Sequence, residues 1–217
     1  MSTYVELLPE LLRGANVTIK VLLASAALTF ILAFIAGLGR ISKNLLIRKL
    51  TGLYVEIFRG TSLLVQMFWI FFALPAFGIH LSAYFAGVLA LGLNYGAYAS
   101  EIVRGAILAI PKGQTEASIA LNLTRWQRMR LVILPQAFRI MLPGFGNISI
   151  ELLKGTSLVS LITLSDLTYQ ALTLRNTDLS YTMPAFVLLL VLYFIIALPL
   201  LYATRWFERR ASKGVAS

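Results

Sequence analysis

Long uncharged apolar runs alternate with short basic segments along this chain. Four runs cover residues 21–39, 60–79, 81–100 and 179–204. A helix of about 20 residues crosses the roughly 30 Å hydrocarbon core of a bilayer, and each run approaches or exceeds that length. The pattern therefore predicts helices that cross a membrane, since a soluble fold could not expose so much apolar surface.

A fifth apolar region, residues 140–165, is interrupted by polar and helix-breaking residues. Glu151 and Lys154 lie near its middle, and Pro143, Gly144 and Gly146 lie near its start. Such helices are tolerated where they face a bundle interior or a polar pathway, so we predict an imperfect or broken fourth span. The predicted fold class is an all-α integral membrane protein with one transmembrane domain over residues 1–217. Its five spans are predicted at residues 17–39, 58–79, 81–104, 140–165 and 180–204.

The distribution of basic residues predicts the orientation. Fourteen of the 19 Lys and Arg residues fall on one side of a five-span chain. They are Arg40, Lys43, Arg48, Lys49, Arg104, Lys112, Arg125, Arg128, Arg130, Arg139, Arg205, Arg209, Arg210 and Lys213. Cytoplasmic loops carry the excess of Lys and Arg, so we expect the N-terminus outside and the C-terminus in the cytoplasm.

Composition narrows the chemistry further. The chain has 217 residues, is 59% hydrophobic and 13% charged, and carries a formal net charge of +10. We attribute this charge to cytoplasmic loops rather than to nucleic-acid binding. There is no cysteine, and His80 is the single histidine, so we predict neither a metal site nor a catalytic residue. No Gly-x-x-x-x-Gly-Lys-Ser/Thr pattern is present, so we expect no cofactor and no ATP on this chain.

The segment 111–136 is polar and basic and lies between two predicted spans. We predict two short helices, near residues 114–121 and 124–134. Thr124 and Gln127 form a capping-box pattern, and Pro135 is expected to end the second helix. The second helix is amphipathic and basic. From physical chemistry alone it either rests on anionic lipid or docks in a groove of a cytoplasmic partner.

This segment resembles the EAA loop of ABC importer membrane subunits. That pattern is Glu-Ala-Ala, followed by a Gly and then by Ile-x-Leu-Pro. Glu116, Ala117 and Ser118 take the first three places, Asn122 stands where the family usually has Gly, and Pro135 closes the motif. Asn is the next best residue after Gly for a left-handed turn.

The resemblance implies that the loop is a coupling helix seated in a cytoplasmic ATPase. ATP and Mg would be bound by that partner, which acts as a dimer. A second permease subunit, either a copy or a paralogue, would complete the pathway, and an external solute-binding protein would deliver the solute. The coupling positions implied are Gly113, Glu116, Ala117, Ser118, Asn122, Arg125 and Pro135.

The resemblance covers nearly the whole chain. Residues 55–68, VEIFRGTSLLVQMF, are similar to a segment of polar amino acid permeases, with Ser62 in place of Pro. Residues 91–107 and 135–167 match the segments that flank the EAA loop, with Gly155 where Asp is common. This implies the histidine/glutamine/arginine-type branch and a type I importer permease (MetI-like) fold with five spans. It also implies alternating access for a polar amino acid or similar zwitterion across the bacterial inner membrane.

Polar residues inside the spans are candidates for the solute pathway, because polar groups in a bilayer are expensive and usually face a cavity. They are Gln66, Asn94, Tyr95, Tyr98, Glu101, Glu151, Lys154, Thr156 and Ser157. Glu151 and Lys154 could bind the two charges of a zwitterion or form an i,i+3 ion pair with each other. For Glu101 and Arg104, near the cytoplasmic boundary, we expect a gating or packing pair.

Two other function classes compete with this interpretation. An ATPase-independent secondary transporter or channel subunit would have an EAA-like loop only by chance. A membrane-embedded enzyme is disfavoured because no span end carries a convincing cluster of His, Asp, Glu or Cys. The sequence does not choose among basic, acidic or amide amino acids, opines and ectoine-like solutes, nor between a homodimer and a heterodimer.

Overall fold

A computed structural model describes residues 2–212, and its regular elements are all helical. Lys213, one of the predicted cytoplasmic cations, lies outside these residues. Helix α1 spans Ser2–Gly39 and includes Pro9. The first span was expected to begin at residue 17, but the helix begins much earlier. Its outer half packs Leu7, Leu11 and Ala15 into a cluster with two C-terminal helices, so tertiary contacts extend the helix beyond the apolar run.

The second predicted span is two helices joined by a sharp bend. Helix α2, Leu45–Gly60, meets Leu63–Phe77 at 105°. Thr61 and Ser62 are extended, with φ/ψ of −121°/154° and −70°/135°, and this breaks the helical hydrogen bonding. The predicted span over 58–79 is therefore not a single straight helix: its main part is the arm Leu63–Phe77, and helix α2 occupies the residues expected to form a loop before it. Asn44, inside the supposed loop, caps α2 by accepting a hydrogen bond from the Leu46 N–H at 2.9 Å.

The arm after the bend is short and irregular. Helix α3 spans Leu63–Phe68, continues as a π turn over Trp69–Ala73, and ends in a 3₁₀ turn over Leu74–Phe77. Met67 and Ile70 of this arm are buried against the next long helix. That contact anchors the arm in the bundle.

Helix α4, Ala83–Leu108, is the central element and packs most extensively against α1. Small residues allow the two helices to approach closely. A Cβ added at Gly92 would lie 2.4 Å from Leu28, and one at Gly96 would lie 2.9 Å from Leu32. Close approach at small residues is the usual source of helix association in lipid.

The EAA-like segment and the next span form one nearly continuous helical path. Helix α5 is Lys112–Ala120, α6 is Arg125–Arg128, a π turn covers Met129–Ile133, and α7 is Leu134–Gly155. The prediction that Pro135 ends the loop helix was wrong. Pro135 lies in the first turn of α7, where its missing N–H is tolerated, and the π turn before it widens the backbone around the ring.

The predicted broken span is unbroken at its proline and glycines. Helix α7 runs through Pro143, Gly144 and Gly146, and becomes a 3₁₀ helix only at Thr156–Ile162. Close packing explains two of the glycines. A Cβ at Gly144 would meet Ile102, and one at Gly146 would meet Thr204.

The C-terminal part contains a helix that the sequence pattern did not indicate. Helix α8, Leu167–Thr177, follows the 3₁₀ helix and packs between α1 and α9. A short 3₁₀ turn, Leu179–Tyr181, leads into α9, Thr182–Ser212. Helix α8 was missed because it is short and has little amphipathic periodicity.

Three stretches of the described chain are long and apolar enough to cross a membrane: Tyr4–Gly39, Arg125–Ile162 and Leu179–Arg210. The bent pair of Leu45–Gly60 and Leu63–Phe77 makes a fourth if it is one span. Helix α4, with 26 residues, would reach about 39 Å at 1.5 Å per residue. Large apolar side chains lie on the outside of these helices, such as the 63% exposed Leu23 and the 72% exposed Leu190.

Candidate functional site

A buried amide pair fastens the bend between α2 and α3. The Asn94 side-chain amide donates to the Phe58 carbonyl at 3.0 Å and to Gln66 Oε1 at 3.1 Å. The Gln66 amide donates to the Phe58 carbonyl at 2.9 Å and to Thr61 Oγ1 at 2.7 Å. These bonds satisfy carbonyl groups that the broken helix leaves without partners. Two predicted pathway residues, Gln66 and Asn94, are thus brought together as the brace of the bend.

Two tyrosines of α4 tie this helix to its neighbours. The Tyr95 hydroxyl donates to the Glu151 carbonyl on α7 at 2.9 Å. The Tyr98 hydroxyl donates to the Arg59 carbonyl at 3.4 Å, and the Arg59 guanidinium lies 5.3 Å from the centre of the Tyr98 ring. Both predicted pathway tyrosines therefore border the polar face of α4.

Glu101 is shared by three arginines at one end of the bundle. Arg104 Nε lies 3.1 Å from its carboxylate and Arg59 lies 3.5 Å away, while Arg40 forms the third ion pair. The Glu101–Arg104 pair was predicted. Arg40 and Arg59 were missed, although each ends a helical segment, because only the fold brings those segment ends to Glu101. One carboxylate does not neutralise three guanidiniums, so the cluster retains positive charge.

Glu151 and Lys154 lie on the exposed side of α7 in the isolated chain. Among the ion pairs of the described residues, none joins the two side chains. Thr156 and Ser157 behave differently. Their hydroxyls donate to the Leu153 and Lys154 carbonyls at 2.6 and 2.8 Å, which closes the turn where α7 becomes 3₁₀.

Helices α5 and α6 form a compact protrusion around a left-handed residue. Asn122 has φ 54°, and its N–H donates to the Ile119 carbonyl at 2.9 Å. The predicted capping box of Thr124 and Gln127 is confirmed. Ser118 is buried and donates to the Gln114 carbonyl at 2.5 Å. The turn that Gly provides in the EAA pattern is thus made here by Asn.

Most of the protrusion is exposed. Leu121 is 74% and Trp126 is 69% exposed, which is unusual for large apolar side chains unless something covers them. Ser118 is the one buried residue among the predicted coupling positions. The others are exposed: Gly113, Glu116, Ala117, Asn122, Arg125 and Pro135. A hydrogen bond from Gln136 to Gln114 at 3.2 Å ties the base of the protrusion to α7.

A buried carboxylate at the start of α8 was missed by sequence reasoning. Asp166 is fully buried and accepts hydrogen bonds from the Tyr169 and Thr168 N–H groups at 2.9 and 3.2 Å. Burial raises the pKa of Asp166 to about 6, against the lowering effect of these bonds. The available signal was an Asp after an apolar run and before Leu167, which is an N-cap pattern.

Comparison with known sequences identifies the family. Residues 29–213 match the family described as binding-protein-dependent transport system inner membrane component. The chain belongs to this family. It is therefore a multi-pass permease of an inner membrane, and the protein is a transporter subunit rather than an enzyme.

Curated relatives cover almost the whole permease. A probable amino-acid ABC transporter permease protein, y4tF, of Sinorhizobium fredii is 49% identical over 93% of this chain and 87% of its own length. The L-cystine transport system permease protein TcyB of Bacillus subtilis is 39% identical over 96% and 89%. The glutamine transport system permease protein GlnP of Escherichia coli is 37% identical over 94% and 93%.

Solved structures confirm the fold class. An amino acid ABC transporter described as crystallised with histidines superposes with a TM-score of 0.87 at 35% identity, over 95% of this chain and 96% of that one. The inward-facing MetNI methionine ABC transporter gives a TM-score of 0.74 at 21% identity, over 93% and 95%, and shows the fold alone. The permease therefore has the all-α, MetI-like type I ABC importer fold.

Proposed function

We propose that this ABC importer permease translocates a polar amino acid or a similar small zwitterion by alternating access. Curated relatives over nearly the full chain are named for glutamine and L-cystine transport, which supports this solute class. The observation that carries the coupling part of the proposal is the exposed protrusion of α5 and α6. Its Leu121 and Trp126 offer apolar surface for a groove in a cytoplasmic ATPase.

The solute contacts are assigned to the exposed face of α7. Glu151 supplies a carboxylate for an ammonium group, and Lys154 supplies a cation for a carboxylate. Their positions three residues apart place both charges on one face of the helix. Neither side chain is committed to an ion pair with the other, which leaves both available to a solute. The remaining pathway candidates serve as their framework.

Within that framework, hydrogen bonds fix most of the polar groups. Gln66 and Asn94 hold the bend, Thr156 and Ser157 close the 3₁₀ turn, and Tyr95 joins α4 to α7. Further along α4, Tyr98 borders the arginine cluster and Glu101 lies at its centre. We assign these last two to the cytoplasmic end of the pathway.

The assembly proposed around the permease has four components. A second permease subunit, copy or paralogue, encloses the pathway, because one bundle leaves Glu151 and Lys154 exposed. An ATPase dimer binds ATP and Mg, and the protrusions of the two permease subunits dock into it. An external solute-binding protein delivers the solute. The proposed orientation has the N-terminus outside and the C-terminus in the cytoplasm, with the basic segments on the cytoplasmic side.

Replacement of the protrusion surface tests the coupling role. The permease is reconstituted in liposomes with its ATPase and its solute-binding protein, and solute uptake and ATP hydrolysis are measured together. We expect Glu116→Lys or Ala117→Trp to lower solute uptake by at least about tenfold, because the permease no longer couples to the ATPase or no longer assembles with it. Both variants should still insert into the membrane. Thr177→Trp, an exposed position at the end of α8, is the matched control.

The outcome separates this proposal from an ATPase-independent transporter. Normal uptake by both Glu116→Lys and Ala117→Trp would remove the coupling role from the protrusion. Uptake by the wild-type permease without any ATPase would favour a secondary transporter or channel subunit instead.

A further inference from the structure

A basic pocket lies where α1 ends and α2 passes over α4. It has a volume of about 570 Å³ and is lined by four cations, one carboxylate and two uncharged residues. The lining residues are Arg40, Arg48, Lys49, Arg104, Glu56, Gly52 and Leu53. None of the lining residues belongs to α7 or to the exposed protrusion, and the pocket adjoins the proposed pathway only through the ion pairs of Arg40 and Arg104 with Glu101.

The positive charge of this basic pocket is not neutralised within the described chain. Glu101, behind the pocket, already forms ion pairs with Arg40, Arg59 and Arg104. Arg48 and Lys49 are in none of the ion pairs found among the described residues. Burial, followed by the nearby guanidiniums of Arg104 and Arg59, lowers the pKa of Arg40. A site with this charge balance is suited to an anion.

An apolar stripe borders the same pocket. Leu46, Leu50, Leu53 and Ile57 recur at helical spacing along α2 and are 66%, 58%, 55% and 50% exposed. Leu53 belongs to both the stripe and the pocket. Around α2, Lys49 lies next to the stripe and Arg48 lies on the opposite side of the helix, with the pocket residues Gly52 and Glu56 between Arg48 and the stripe. An amphiphilic ligand could contact both surfaces at once.

The position of the pocket along the bundle favours a membrane ligand. Arg40 follows directly after Gly39, the last residue of the long apolar helix α1. The pocket therefore opens at the level where α1 leaves the apolar part of the bundle, which is the level of lipid headgroups. Basic pockets between helices on the cytoplasmic side are known to bind anionic headgroups.

We propose that this pocket binds the phosphate headgroup of an anionic membrane lipid, whose acyl chains lie along the apolar stripe of α2. Arg48, Lys49, Arg40 and Arg104 contact the phosphate, and Leu50 and Leu53 contact the chains. The shared chemistry is a phosphate group, so a soluble phosphate is the alternative source. The lipid is distinguished from it by the apolar contacts.

Binding is tested on the purified full-length permease in a neutral detergent. Dioleoyl phosphatidylglycerol or dioleoyl phosphatidylcholine is titrated, and retained lipid is measured by native mass spectrometry alongside the thermal unfolding midpoint. We expect the anionic phosphatidylglycerol to bind more tightly than the phosphatidylcholine and to raise the thermal unfolding midpoint more. Arg48→Gln with Lys49→Gln should weaken its binding roughly 30-fold, because each cation near an anionic surface contributes about fivefold.

Two variants control for charge and for folding. Arg13→Gln with Lys20→Gln removes two exposed cations from the other half of α1 and should bind the anionic lipid normally. Lys49→Gln alone, an exposed single change, should weaken binding about fivefold if the double variant does not fold. The proposal would be overturned if the Arg13/Lys20 variant lost as much lipid affinity as the Arg48/Lys49 variant, or if both pocket variants bound the anionic lipid normally.

Soluble anions decide the source of the phosphate. Inorganic phosphate and glycerol 3-phosphate are added at the same concentrations as the lipid. We expect neither to raise the unfolding midpoint as the anionic lipid does, and we expect Leu50→Ser with Leu53→Ser to weaken lipid binding. If inorganic phosphate stabilises the wild type as strongly as the lipid, the pocket is a soluble-anion site and the lipid assignment fails.

Discussion

Two residues of this permease depart from the family pattern, one for a reason of backbone conformation and the other for a reason of packing. Asn122 takes the place of a Gly and adopts φ 54°, which Asn tolerates better than other residues with a side chain. Gly155 stands where Asp is common. A Cβ there would lie 2.5 Å from the Tyr95 hydroxyl, so a larger residue would displace the tyrosine from the Glu151 carbonyl.

Lys154 provides a test of the solute site at this scale. We expect Lys154→Met to lower solute uptake by about tenfold or more while assembly with the ATPase is kept, because the lost cation would have paired with the solute carboxylate. Uptake kinetics in liposomes and co-purification of the ATPase are the measurements. Arg175→Met, at an exposed position on α8, should leave both unchanged. Wild-type kinetics in the Lys154 variant would exclude this residue from the pathway.

Asp166 predicts a specific pH dependence of stability. Its pKa in the folded protein is about 6, above the ordinary value of 3.8. The folded state therefore holds the proton more tightly than the unfolded state, and stability falls as pH rises from about 4 to about 6. The contribution is at most about 3 kcal/mol. We expect Asp166→Asn to flatten this loss in thermal unfolding, at the cost of about 1 kcal/mol for one lost cap bond.

Asp178 is the matched control for that measurement. It is exposed, and hydrogen bonds from Ser180 lower its pKa. Its effect on stability has the opposite sign, since a lowered pKa favours folding as pH rises through the acid range. In the Asp178→Asn variant, stability should therefore still fall between pH 4 and pH 6, as it does in the wild type. If the Asp166 variant showed the same fall as wild type, the carboxyl would not be the group that titrates.

At the scale of elements, α1 and α8 are joined by backbone contact. Gly14 of α1 lies against the start of α8, and Thr18 one turn later accepts a hydrogen bond from the Leu167 N–H at 3.0 Å. The hydroxyl of Thr168 is also within 3.0 Å of the Tyr193 hydroxyl on α9. These three helices therefore share a polar junction around Asp166, and it positions α8.

Enlargement of Gly14 should separate α1 from α8. A Cβ would lie 2.7 Å from the Asp166 carbonyl oxygen and 2.8 Å from the Leu167 Cα, and backbone atoms cannot rotate away. We expect Gly14→Ala to lower the free energy of unfolding by about 1–3 kcal/mol, as overpacking does, measured by thermal or denaturant unfolding in detergent.

Gly105→Ala separates steric overlap from the general effect of replacing a helical glycine. An added Cβ at Gly105 meets no atom within 4 Å. Alanine is the better helix former by up to about 1 kcal/mol, so this variant should be as stable as wild type or more stable. Similar stability changes in both variants would contradict close contact at Gly14.

At the scale of the whole molecule, the single bundle is incomplete. Its exposed face includes charged Glu151 and Lys154 in the second half of α7, and its protrusion carries exposed Leu121 and Trp126. Exposed polar groups in a membrane span require a partner or a water-filled space. The isolated chain therefore has two surfaces that fit an assembly: one for a second bundle and one for a soluble protein.

The proposed orientation is testable because the chain has no cysteine of its own. Single cysteines are introduced as Lys43→Cys between α1 and α2 and as Asn176→Cys near the end of α8, both exposed. A membrane-impermeant maleimide added to intact cells should label only the Asn176 variant. In inverted vesicles it should label only the Lys43 variant. Labelling of both from the same side would contradict the five-span topology.

The sequence alone determined those features that depend on neighbouring residues. The helices of the protrusion, the capping box of Thr124 and the turn at Asn122 were predictable, because their hydrogen bonds join residues a few positions apart. Apolar run length likewise predicted the membrane class, since a span must match the thickness of a bilayer. The motif that begins at Glu116 predicted the family, because its residues are neighbours in the sequence and can be recognised without the fold.

Tertiary structure decided the features that join distant parts of the chain. Asn94 meets Gln66 across 28 residues, and α1, α2 and α4 bring Arg40 and Arg59 to Glu101. Asp166 is buried only because α1 and α9 cover it. The 105° bend after α2, the start of α1 at Ser2 and the passage of α7 through Pro143 were decided in the same way. No local pattern encodes these contacts, because each gains its stability from a partner that folding brings into reach.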